Sequence, residues 1–196
     1  EKVIARGLGR SYGDSAIQPN STLDMTALNK IEKFSEDTGI LSAQAGISID
    51  KILKTFLPLG WMLPVTPGSK FVTLGGMIAS DVHGKNHHID GSIANFIEEI
   101  SVIIDKEVVN CSINNNNKLF LDTIGGMWLT GVIIQAKIKL LKVTTTYIKQ
   151  ETIPTINLQE TMEVFRKNLN SKYIVAWIDC FAKGENFGRS IIYKGE

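Results

Sequence analysis

Apolar and polar positions alternate in short runs over residues 21–25, 31–35 and 40–46, separated by Asn29, Asp37 and Gly39. That two-residue period is the mark of strands with one face packed. At 48–57 the period lengthens: Ile49, Ile52, Leu53, Phe56 and Leu57 fall on one side of a helix, Ser48 stands at its N-cap, and Pro58 and Gly60 close it. Residues 61–63 return to strand. Further on, 96–104 and 107–111 flank Asp105-Lys106 as a two-residue hairpin, 119–124 make a short helical turn before Gly125-Gly126, and 131–138 form a strand. The run of four Asn at 114–117 reads as an exposed loop tip. At 142–147 the texture changes, and 143–147 reads as an exposed strand leaving one unit for another. Beyond it, Leu158, Met162, Phe165 and Leu169 form a helical stripe, and 173–178 and 189–193 are strands. The predicted class is α+β, mixed β with short helices, with one domain over 1–142 and a second beginning at 143–196.

Two polar stretches interrupt this pattern. Residues 67–88 collect Gly68, Thr73, Gly75, Gly76, Ser80, Asp81, Gly84 and all three His, His83, His87 and His88. Gly lets a ligand approach the main chain, and Thr73 can cap the helix that Leu74 begins, so N–H groups here can face a ligand. A Gly-rich turn between core elements is the bland alternative. Earlier, residues 3–5 read as the end of a buried strand running into Arg6, Gly7, Leu8, Gly9, Arg10, Ser11, Tyr12, Gly13, Asp14 and Ser15. The N–H groups of such a loop can converge on a diphosphate, as in an anion-binding nest. Its G-x-G-x-x-x-G spacing, with Pro19 and no helical period behind it, is not a Rossmann fingerprint.

Composition narrows the field. With 196 residues, 43% apolar and 21% charged, the chain is globular in make-up and has room for a sizeable core. A net charge of +1 with scattered Lys and Arg leaves no footprint for nucleic acid. No window approaches a membrane-spanning length of apolar residues, so the chain reads as soluble. Cys111 and Cys180 lack a partner motif and read as two reduced structural thiols of a reducing compartment. Asp81, His83, His87 and His88 are candidate zinc ligands by type, but H-x-x-x-H-H has no Cys partners and sits in a Gly/Asn loop, so no metal is expected.

Taken together, residues 5–14, 67–88 with their His-Gly-Lys-Asn-His-His run, and Gly125-Gly126 with 129–133 resemble the FAD-binding domain of the vanillyl-alcohol oxidase / p-cresol methylhydroxylase (PCMH-type) superfamily. Within it the pattern is most like the decaprenylphosphoryl-β-D-ribose 2-oxidase group, over about residues 3–195. The resemblance implies two β subdomains with short helices around FAD, then the start of an α+β substrate domain. It implies FAD contacts at Arg6, Gly7, Leu8, Gly9, Arg10, Ser11, Tyr12, Gly13, Asp14 and Ser15, at Gly68, Thr73, Leu74, Gly75, Gly76, Ser80, Asp81, Val82 and His83, and at Ile133 beside the adenine. It places Tyr12, His83 and Lys85 at the reacting face and Lys85 and Trp177 against substrate. His87 and His88 are expected to support the loop by hydrogen bonds.

The same resemblance implies an enzyme that oxidises a secondary alcohol of a sugar to a ketone by hydride transfer to the flavin, the substrate small or lipid-linked. A short-chain reductase would be its partner in epimerisation, in the cytoplasm or at the membrane periphery. An aldonolactone or alditol oxidase is the alternative within the class, and a non-catalytic flavin- or nucleotide-binding module the alternative outside it. Many relatives carry a flavin-attaching His where this sequence has Arg10, which implies non-covalent flavin. Met127-Trp128 stands where close relatives tend to have small residues. The unit that precedes the first loop in the family, and the catalytic Lys and Tyr of the substrate domain, are not in this sequence.

Overall fold

The computed structural model describes residues 3–196. The chain divides into two units, one of residues up to Gly84 together with Ser92–Thr144, the other of Lys85–Gly91 with Thr145–Glu196.

In the first unit, β1 (Ile4–Arg6) and β2 (Thr22–Asp24) pair in parallel, and the first Gly-rich loop runs between them. Strands β3 (Ile31–Ser35) and β4 (Ile40–Gln44) lead to helix α1 (Ile49–Phe56) and then to β5 (Trp61–Met62) and α2 (Leu74–Ala79). Four-residue helix α3 (His87–Asp90) belongs to the second unit. The first unit resumes with β6 (Ile97–Ile104), β7 (Glu107–Cys111), α4 (Asn117–Thr123), β8 (Val132–Lys139) and β9 (Leu141–Lys142). Its main sheet has the order β3-β4-β8-β6-β7, antiparallel throughout. Strand β9 pairs with β5 apart from it.

The helical and strand periods predicted from sequence meet in one core. The hydroxyl of Ser48 accepts the Lys51 N–H at 3.1 Å, which satisfies an otherwise unpaired donor of the first turn of α1. Helix α1 then buries Ile49, Ile52 and Phe56. Phe56 packs on Phe34 of β3 with ring centroids 4.7 Å apart, and Phe34 meets Trp61 edge-on at 5.4 Å. Leu41, Ile100, Val102, Ile133 and Ile138 of the sheet close the core against Leu74, Met77 and Ile78 of α2. The hairpin at Asp105 and Lys106 has φ of 48° and 75°, the left-handed pair of a type I′ turn.

Three expectations change. Residues 143–147 are not a strand: the pairing with β5 ends at Lys142, the Val143 N–H makes one further bond to the Gly60 carbonyl at 2.8 Å, and the chain then leaves that edge. The Asn run is exposed as expected, but its last residue opens α4 and it is tied down: Asn115 and Asn116 donate their side-chain N–H groups to the Asn110 carbonyl at 3.1 and 2.9 Å. The two thiols differ, Cys111 being buried and Cys180 exposed. Burial, helped by nearby Glu99, pushes the Cys111 thiol up to about 11. A thiolate-selective reagent at neutral pH is therefore expected to modify Cys180 alone in the folded protein and both thiols in denaturant; rapid labelling of Cys111 in the native state would contradict that packing.

The second unit is a three-stranded antiparallel sheet, β10 (Gln150–Thr155), β12 (Ser190–Gly195) and β11 (Tyr173–Ile178) in that order, with α5 (Leu158–Lys167) alongside. The Asn157 side chain caps α5 by accepting the Glu160 N–H at 2.9 Å. Thr155 and Thr161 share a buried hydroxyl contact of 2.6 Å that ties the helix to the sheet. The end of the His-rich run is built into this unit. Ile174 donates its N–H to the Lys85 carbonyl at 3.1 Å, His88 Nε2 donates to the Ser171 carbonyl at 2.9 Å, and Lys172 pairs with Asp90. The Ser171 carbonyl can only accept, so this bond fixes a proton on Nε2.

Candidate functional site: an FAD cavity in the first unit

Three segments of the first unit surround a cavity of about 780 Å³, within the range of a small-molecule or cofactor site. From the first loop come Gly7, Leu8, Gly9, Arg10, Ser11, Tyr12 and Ser15. From the second come Gly68, Thr73, Gly76, Ser80 and Val82, with Pro67, Ser69, Val72 and Met77 beside them. The third segment supplies Met127 and Trp128.

Local chemistry explains why these segments converge. Lys70 and Asp50 form an ion pair at 2.7 Å, while the Asp50 and Ile49 N–H groups donate to the carbonyls of Lys70 and Val72 at 3.0 and 2.9 Å. These bonds pin the second segment onto the start of α1. The Lys54 ammonium first, and Lys70 second, hold the Asp50 carboxyl below its usual range. Its contribution to stability is thus present above the ordinary carboxyl pKa and is lost as pH falls through the lowered one. At the start of α2, Thr73 Oγ1 accepts the Gly76 N–H at 3.2 Å. The first loop reaches the same place: a Cβ on Gly7 would lie 2.3 Å from Thr73 Oγ1. Across the mouth, Arg10 Nε donates to the Phe71 carbonyl at 3.2 Å, joining the first and second segments.

The donor chemistry fits a diphosphate-linked cofactor. Among the described residues, no backbone N–H of residues 8–16 donates to a protein acceptor, so a run of main-chain donors borders the cavity beside the Arg10 guanidinium. The Leu8, Val72, Met77, Val82, Met127 and Trp128 side chains add apolar surface suited to ring systems.

Not every expected residue reaches the cavity wall. Arg6 lies beneath the first loop, its Nη2 2.4 Å from where a Gly9 Cβ would stand. Gly13 and Asp14 are exposed, and Leu74, Gly75 and Ile133 sit in or against the core, Leu74 and Ile133 with no exposure. Asp81 Oδ1 accepts the Ala94 N–H at 3.2 Å, and His83 pairs through its backbone with Ser92. Lys85 and Trp177 belong to the second unit, Trp177 on β11 with its side chain exposed. Tyr12 lines the cavity and is itself almost fully exposed. Val72 and Met77 are wall residues that the sequence did not single out, while Met127 and Trp128, bulky in the sequence where close relatives tend to have small residues beside the flavin, do line the wall. The first two look like core in a pattern of apolar positions, and the only signal for the last two was their bulk in a Gly-rich loop.

A Gly-rich loop between two short strands, a capped helix behind a second Gly-rich segment, and a cavity edged by main-chain donors define a dinucleotide-cofactor domain outside the Rossmann class. Residues 1–112, more than half the chain, match the FAD binding domain family, and the chain belongs to it; its cofactor is FAD. The chain is 38% identical to decaprenylphosphoryl-β-D-ribose oxidase of Mycolicibacterium smegmatis over 198 residues, 98% of this chain and 43% of that protein. It is 29% identical to cytokinin dehydrogenase 3 of Arabidopsis thaliana over 149 residues, 70% of this chain and 27% of that one. It is 22% identical to D-lactate dehydrogenase of Anaerostipes hadrus over 144 residues, 70% of this chain and 30% of that one. The chain thus spans less than half the length of these relatives. Among the described residues, no helix is long and apolar enough to cross a membrane.

Proposed function

We propose that the protein carrying this chain is an FAD-dependent oxidoreductase that oxidises a secondary alcohol of a sugar to a ketone, with a lipid-linked ribose as substrate. One observation carries this reading. The identity to the Mycolicibacterium smegmatis oxidase runs through 98% of the chain, beyond the family match at residue 112 and through the second unit, whereas the cytokinin and lactate dehydrogenases align over about 70%. Residues 143–196 are accordingly proposed as the opening of a substrate domain.

FAD, when bound, supplies the hydride acceptor. The chain's own residues then have distinct tasks. The main chain of the first loop and Arg10 hold the diphosphate. The family resemblance gives Tyr12, His83 and Lys85 the task of orienting the substrate hydroxyl and stabilising negative charge developing on its oxygen, which an imidazole and a cation can do. Trp177 contacts the sugar. With Arg10 at the attachment position the flavin is held without a covalent bond, since a guanidinium stays protonated and has no lone pair to offer. A short-chain reductase acting on the ketone would complete an epimerisation, and a lipid-linked substrate would bring the protein to the membrane periphery.

His83→Ala and Lys85→Ala are expected to slow flavin reduction by the sugar about 100-fold or more at unchanged flavin content, within the range that general acid–base groups supply. Stopped-flow reduction at equal flavin occupancy reads this. Wild-type rates in both variants would assign the two residues to structure, and reduction by an aldonolactone or alditol but not by a ribosyl lipid would move the substrate to that alternative.

A further inference from the structure

We propose that Trp128 is a cofactor-contact residue, its indole forming an apolar wall of the FAD cavity against one of the dinucleotide's ring systems. The starting observation is a backbone outlier. Met127 and Trp128 both have left-handed φ, 50° and 68°, and directly follow the Gly125-Gly126 pair, of which Gly125 has φ 73°. Side chains disfavour that region and glycine does not, so a glycine at 128 would suit the local backbone better than tryptophan. Strain of this kind persists only where the surroundings impose it, and it gathers at functional sites.

The surroundings here are specific. The Gly125 and Met127 N–H groups donate to the carbonyls of Ile78 and Ala79, each at 2.9 Å, and the Leu129 N–H donates to Gly126 at 2.9 Å. The loop is thereby pinned to the C-terminal end of α2, and both strained residues deliver their side chains to the cavity wall. The indole of Trp128 lies against α2 where Gly75 leaves space: a Cβ at Gly75 would be 3.2 Å from Trp128 Cη2. It is half-buried, with one part packed on the core and another on the cavity. Among the described residues its ring N–H has no protein acceptor and is not a buried unpartnered atom, so the donor is open to solvent or to a bound ligand. An indole with an apolar face and an available donor, held at a dinucleotide cavity by an unfavourable backbone, is placed to pack on a planar ring.

The inference rests on FAD binding and not on the sugar substrate, so titration of the wild-type apoprotein with FAD comes first; absence of binding there would overturn the cofactor reading itself. Given binding, Trp128→Gly is expected to raise the Kd for FAD at least tenfold; relief of the left-handed backbone offsets only part of the core packing that the indole provides, so affinity is compared on the folded apoprotein. Trp128→Phe, which keeps a ring, is expected to stay within threefold of wild type. Hydroxyl-radical footprinting of the wild-type protein should show oxidation of Trp128 suppressed when FAD is added. A Kd within twofold of wild type for folded Trp128→Gly, an equal loss in Trp128→Phe, or Trp128 oxidation unchanged by FAD would each overturn the proposal; if Trp128→Gly does not fold, the Trp128→Phe affinity and the footprint decide it.

Discussion

Gly7→Ala is expected to weaken FAD binding by about 100-fold or more, close to 3 kcal/mol of binding free energy. The added Cβ would stand 2.3 Å from Thr73 Oγ1 and 3.0 Å from its Cγ2. A flexible side-chain tip could swing away, but Thr73 cannot: it is 2% exposed, branched at Cβ, and committed through Oγ1 to the Gly76 N–H. The first loop must therefore move off α2, and the donors bordering the cavity move with it. The clash also predicts a rescue. Thr73→Ala removes both contacting atoms at the loss of a helix cap, about 1 kcal/mol. In the double variant FAD affinity should recover relative to Gly7→Ala, a non-additivity expected of residues in contact. Isothermal titration of the three variants with FAD decides the matter; additive effects would show that the two residues do not share this contact.

Gly46→Ala is expected to destabilise the first unit by about 3 kcal/mol or more, the upper part of what overpacking in a closed site produces. Here the obstacle is backbone. A Cβ at Gly46 would lie 1.7 Å from the Met25 carbonyl oxygen and 2.8 Å from that of Leu28, while the Gly46 N–H already donates to Leu28 at 2.8 Å. Met25 is buried and takes its own N–H bond to the Arg6 carbonyl at 2.9 Å, so displacing it disturbs β1, β2 and the loop they hold. Thermal unfolding should show a fall of roughly 6–12 °C at this chain length. A melting temperature within about 2 °C of wild type would sink this account of the close approach.

Much of this architecture was legible from residue order. The period of α1, its Ser48 cap, the Asp105-Lys106 turn and the Thr73 cap of α2 all depend on neighbours within a few positions, which a sequence displays directly. The two Gly-rich segments that frame the cavity were visible for the same reason. What sequence order conceals is how segments far apart in the chain meet. The contact of Gly7 with Thr73, the tie from Arg10 to Phe71, and the bonds from Gly125 and Met127 to α2 join positions that no local pattern links. Residues 143–147 show the converse error, a run with strand propensity that leaves the β5 edge after Val143 and forms no strand. The His-rich run reads as one motif in the sequence, yet its Lys85–Gly91 portion is bonded into the second unit through Ile174, Ser171 and Lys172, while His83 pairs with Ser92 in the first.

The central claim is that the cavity between the first loop, α2 and the Met127-Trp128 loop holds FAD without a covalent bond. Titration of the apoprotein with FAD, followed by acid precipitation of the loaded protein, tests it most directly. The account predicts saturation at one FAD per chain with all of the yellow colour released into the supernatant. No saturable uptake, or flavin fluorescence remaining with the denatured polypeptide, would contradict it.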